Sequence, residues 1–107
     1  MTVPLSRTVF ATDRQRPLVW PAKDANDAMD YAVDFSARLG NDAISSVAFS
    51  LATVAGLTLG SDDTTDTLAA VSISGGTEGS KGKVLCRITT EDGQTMDATV
   101  SLPVRAR

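Results

Sequence analysis

Apolar and polar positions alternate most regularly in the last quarter of the chain. Val84, Cys86, Ile88 and Thr90 alternate with Leu85, Arg87 and Thr89. After Glu91-Asp92-Gly93-Gln94, Met96, Ala98, Val100 and Leu102 alternate with Asp97, Thr99 and Ser101. A period of two marks a half-buried strand. The segment between the runs is a turn, with Gly93 where a positive φ is favoured. The pattern predicts a β-hairpin, and Pro103, which lacks a backbone donor, limits further pairing after it.

The same period runs from Asp30 to Leu39. Tyr31, Val33, Phe35 and Ala37 share one face, and Asp34, Ser36 and Arg38 fall on the other. This predicts one strand over 30–39, closed by a turn at Gly40-Asn41-Asp42. Ala43 to Leu51 is the next strand, with Ile44, Val47, Phe49 and Leu51 as its apolar residues. Their change of parity predicts a bulge or a start near Ser46. Leu57-Thr58-Leu59 makes a short strand, residues 60–66 a polar loop, Leu68 to Ser74 a strand, and residues 75–82 a glycine-rich connector. Short strands without a long helix or a fixed-period repeat give an all-β fold, an antiparallel β-sandwich over residues 30–104.

Residues 1–29 read as an extended N-terminal arm. Pro4, Pro17 and Pro21 remove backbone donors and restrict their predecessors. Two short β-prone pieces, Thr8 to Ala11 and Leu18 to Trp20, lie between them. Lys23 to Met29 fits a helical turn capped by Asp24. Phe10 and Trp20 must bury their rings, either against their own domain or as anchors in a partner.

A chain of 107 residues, 42% hydrophobic, supports one domain with a modest core. The lone Cys86 cannot form an internal bridge, and together with the absence of a leader-like segment it fits folding in a reducing cytoplasm. No apolar run approaches the roughly 20 residues that span a bilayer, so no membrane partner is expected. Histidine is absent. That removes the commonest general base and zinc ligand, and with them the usual nucleophile–histidine pairs.

The net charge of −3 hides a split. Residues 1–23 hold four basic side chains against one acidic, residues 24–104 hold four against twelve, and Arg105 and Arg107 form a basic C-terminal tail, 105–107. Basic ends flank an acidic body, through chance and solubility or because the ends dock onto acidic neighbours. An acidic body with few aromatics argues against nucleic acid as a partner.

Other clusters offer little chemistry. Asp62, Asp63 and Asp66 are a solvated loop or, failing that, a calcium site, but they lack the EF-hand spacing. Gly75 to Gly82 lacks the Gly-Lys-Ser/Thr order and the following helix of a phosphate loop. Asp30 and Asp34 on one strand would lie roughly 13 Å apart, wide for a glycosidase pair. Cys86 sits in phase with the core and reads as an inert thiol. No catalytic residue, cofactor or metal is assigned, and the chain is not expected to be an enzyme.

Trp20-Pro21-Ala22-Lys23-Asp24, Asp30 to Leu39, Gly40 to Ile44, Ser72 to Gly76 and Leu102 to Arg105 together resemble a family of small tailed-phage structural proteins, the fibre–tail adaptors. The likeness runs from about Val19 to Arg105, departing at Phe35, where the family is expected to favour Trp. It implies an Ig-like sandwich, here without the Cys–Trp–Cys core of antibody domains. It also implies a virion protein of the neck or tail, made in the bacterial cytoplasm, joining tail or connector to fibres or spikes as a homo-oligomeric ring. Heterologous ring contacts suit basic ends and an acidic body, which points to Arg7, Arg14, Arg16, Trp20, Lys23, Arg105 and Arg107 as contact residues. The alternative is an Ig-like recognition module for a carbohydrate or surface protein.

Overall fold

Eight strands form two facing four-stranded sheets in the computed structural model, which describes residues 3–12 and 17–105. They are β1 (Thr8–Phe10), β2 (Leu18–Val19), β3 (Met29–Asp34), β4 (Ile44–Thr53), β5 (Leu57–Thr64), β6 (Leu68–Gly75), β7 (Lys81–Thr90) and β8 (Thr95–Pro103). A 3-10 turn (Leu5–Arg7) precedes β1, and a single helical turn, α1 (Ser36–Leu39), follows β3. One sheet runs β1-β3-β6-β5, the other β2-β8-β7-β4.

The expected all-β sandwich is present, and its central pairs are antiparallel. The two outermost N-terminal strands are the exception. β1 pairs parallel with β3, Val9 opposite Val33, and β2 pairs parallel with β8, Leu18 opposite Val100. This corrects the expectation that residues 1–29 form an arm apart from the sandwich. Their described part supplies one edge strand to each sheet, because the prolines delimit the two β-prone pieces without interrupting either.

The C-terminal hairpin follows its alternation. Val84, Cys86, Ile88 and Thr90 are buried on β7, and Ala98, Val100 and Leu102 on β8. Gly93 takes φ 84° in the connecting turn, closed by hydrogen bonds from the Thr90 amide to the Gln94 carbonyl and from the Gly93 amide to the Thr90 carbonyl. On the outer face Arg87 makes a two-pronged ion pair with Asp97 across the strands, at 2.8 and 3.0 Å.

Two expectations need further correction. The strand predicted over 30–39 ends at Asp34, whose Oδ1 accepts the Ser36 amide at 2.8 Å and starts the turn of α1. Phe35 and Leu39 still reach the core, but Ala37 is exposed, since a helical turn no longer alternates faces. The polar segment 60–66 is not a loop up to Thr64. It continues β5 through a bulge between Leu59 and Asp62, where backbone pairing with β6 outweighs poor strand propensity.

Candidate docking surface

Three of the quoted motifs, Trp20–Asp24, Ser72–Gly76 and Leu102–Arg105, converge on one end of the sandwich, while Gly40–Ile44 lies at the other, against the β7–β8 turn. Beyond β2 the N-terminal segment keeps running beside β8. The Trp20 amide donates to the Ser101 carbonyl at 3.0 Å, the Lys23 amide to the Pro103 carbonyl at 2.9 Å, and the Arg105 amide to the Lys23 carbonyl at 2.9 Å. Its side chains turn inward in the same stretch. Trp20 keeps 1% of its surface exposed, its ring centroid lies 5.1 Å from that of Tyr31 at a 45° tilt, and Nε1 donates to the Ala32 carbonyl at 3.0 Å. The indole therefore buries its apolar body with its one donor satisfied.

Lys23 also keeps 1% of its surface exposed. Its Nζ donates to the Asp24 carbonyl at 2.7 Å and to the Gly75 carbonyl in β6. Burial lowers its pKa, and the carboxylates of Asp27 and Asp24 partly oppose that shift. Gly75 and Gly76 complete the junction. At Gly75 φ is 72°, and a Cβ would stand 2.9 Å from the Gly56 carbonyl oxygen; at Gly76 φ is 113°, and a Cβ would meet Val104 at 2.8 Å. Neither position accepts a side chain.

Trp20 and Lys23, expected to be contact residues, are thus internal staples in this conformation. Both side chains are enclosed by their own domain. Arg7 is half-buried, its Nε donating to the Asp30 carbonyl at 2.8 Å, and Arg105 is exposed. Arg7, Lys23, Asp27 and Tyr31 help line a pocket of about 250 Å³ at this end. Arg14, Arg16 and Arg107 lie outside the described residues.

Sequence reasoning missed an apolar surface. Leu5 is 78% exposed, Phe10 50% and Val19 48%. They belong to the 3-10 turn, β1 and β2, and those two strands run beside one another at one side of the sandwich. The signal was there in part: Phe10 was recognised as a ring needing burial, but β-propensity says nothing about which side of a three-residue strand meets the core. Trp20 took the inward place and Phe10 the outward one.

The remaining candidates stay structural. Asp62, Asp63 and Asp66 are exposed along and beyond the β5 edge. The Cys86 thiol is fully buried and its pKa is pushed up to about 12, by desolvation first and then by the fields of Asp97 and Asp62. Among the described residues no helix is long and apolar enough to cross a membrane.

No individual curated protein matches the chain. The sequence model described as podophage GP4 fiber-tail adaptor protein gp77 matches residues 23–103. That span begins at the Lys23 staple and ends with β8, so it takes in β3 to β8 together with Lys23, Gly75 and Gly76 of the clamped end. The chain belongs to the podophage GP4 fiber-tail adaptor family, gp77.

Proposed function

We propose that this protein is a structural component of a podophage virion, an adaptor in the neck or tail that joins the tail to fibres or spikes as several copies in a ring. The family match over residues 23–103 carries this reading, and it supports binding rather than catalysis. The surface adds support of its own. Leu5, Phe10 and Val19 leave apolar area uncovered on the β1–β2 side of the domain, the kind of area that protein contacts cover. The exposed or half-exposed basic residues of the described termini, Arg7 and Arg105, contrast with the acid-rich remainder and suit head-to-tail contacts between copies.

The strand order supports the Ig-like reading of the sandwich. From β3 onward, β3-β6-β5 facing β8-β7-β4 places the strands as in the BED and GFC sheets of immunoglobulin domains, while β1 and β2, which run in opposite directions, flank the two sheets on the side where the first strand of such domains sits.

Cross-linking mass spectrometry on intact virions tests the adaptor role. Links from Lys81 or Lys83, both exposed, to tail, connector or fibre proteins are expected, with links between copies of this chain if a ring forms. Absence of the chain from purified virions would overturn the reading.

A further inference from the structure

The four sheet edges are unequally protected. β1 has three residues and β2 two, too short to template another strand. β5 is long but bulged between Leu59 and Asp62. After the bulge Asp62 stands opposite Val71, a fully buried residue, so its carboxylate turns toward the inner side of the sheet while remaining exposed. A bulge and an inward-pointing charge are two devices that stop strands adding to an edge.

β4 has neither over its central part. From Ser46 opposite Thr89 to Leu51 opposite Val84, six residues keep unbroken register with β7, and Ile44–Thr53 contains no charged residue. Six residues is an ordinary strand length. Val47, Phe49 and Leu51 face the core yet stay only half-buried, because among the described residues no strand lies beyond them. Ser46, Ala48 and Ser50 present small, neutral side chains on the outer face. This edge is open to main-chain pairing.

Charge selects the occupant. A second copy adding through its own β4 would bring two Asp62 carboxylates and two acid-rich bodies to one seam. A segment with basic side chains meets no such repulsion. We propose that β4 accepts an extended segment of another protein as an added strand along Ser46–Leu51, its alternate apolar side chains covering Val47, Phe49 and Leu51 and an inward-facing lysine or arginine meeting Asp62. Main-chain hydrogen bonds then supply affinity and the alternate side chains specificity. β5, which carries Asp62, packs against β4 at this side of the sandwich.

The test uses the full chain and two synthetic heptapeptides, Val-Thr-Val-Thr-Lys-Thr-Val and the same sequence with glutamate in place of lysine, so that the valines and the one charged residue share a face. Amide hydrogen exchange and NMR shifts are followed residue by residue. The lysine peptide is expected to slow exchange along Ser46–Leu51, and the glutamate peptide to bind about tenfold more weakly, the scale of replacing one exposed ion pair by repulsion. Asp62→Lys should reverse that preference, and Ser50→Lys should weaken the lysine peptide. Perturbation mapping elsewhere, equal affinity for both peptides, or concentration-dependent protection of β4 from self-pairing would each overturn the proposal. Because the isolated chain is used, such a failure leaves the adaptor reading standing, and that reading is tested on virions.

Discussion

The Lys23 ammonium donates to the carbonyl of Gly75, 52 positions further along the chain, and so ties a segment bound to the edge of one sheet to the end of a central strand in the other. The Lys23 backbone pairs with β8 on either side of Val104, and its side chain crosses to β6. One residue thus closes the end of the sandwich.

Lys23→Ala is expected to cost about 2–4 kcal/mol, the scale of emptying a buried site and stranding buried carbonyls. Lys23→Met, which keeps the apolar stem, should cost less. Because burial lowers the folded-state pKa below the ordinary 10.5, the unfolded chain holds the extra proton between the two values. Stability contributed by this group therefore rises with pH across that window. Urea unfolding from pH 8 upward should show this component in the parent and lose it in Lys23→Met.

Cys86 titrates with the opposite sign. Its folded thiol is held at about 12 against an ordinary 9.0, so the folded state keeps a proton that the unfolded chain loses. Stability should fall between pH 9 and 12, by up to about 1.4 kcal/mol per pH unit. Cys86→Ala should flatten that decline, and it provides the background in which the Lys23 component is read cleanly. In the native protein the thiol should resist an aromatic disulfide reagent at pH 8 and react at once in denaturant.

The single tryptophan reports on the clamped end. Buried against Tyr31, Trp20 should emit at short wavelength in the native state and shift to the red when the first segment leaves β8. Trp20→Ala should cost about 3–5 kcal/mol. Trp20→Phe, which keeps a ring but loses the bond to the Ala32 carbonyl, should cost less. Equal losses would show that a ring alone recovers nothing, whereas no loss in Trp20→Phe would show that the indole donor contributes nothing.

Phe10→Ser and Val19→Ser test the exposed apolar surface. Both side chains are about half exposed, so each change should alter stability by roughly 0.5 kcal/mol or less. Incorporation into virions should nevertheless drop, measured against an unaltered capsid protein in the same particles. Point substitutions are the suitable probe because truncating residues 1–18 would remove β1 and half of β2. A fall in thermal stability matching the fall in incorporation would assign the effect to folding instead.

The misreadings in the sequence share one cause. Alternation sets a side-chain phase but not where it ends. Phe35 is in the phase its pattern predicts, while Ala37 is not, because the Asp34 carboxylate captured the Ser36 amide and began a turn. Asp62 and Asp63 look like loop residues by composition, and only the ladder to β6 holds them extended.

By itself the sequence determined the β-hairpin over β7 and β8, the two-layer class, the inward Cys86 and the family, since each rests on local period or on a set of short motifs. Tertiary structure decided what those motifs are for. The Trp20–Lys23 segment, Gly75 and Val104 are far apart in the chain and meet only when the sheets close, so nothing local marked Lys23 as a staple rather than a contact. The same closure decides which edges stay open. A strand's exposure depends on its neighbours in the sheet, and that information lies in the pairing order, not in the strand.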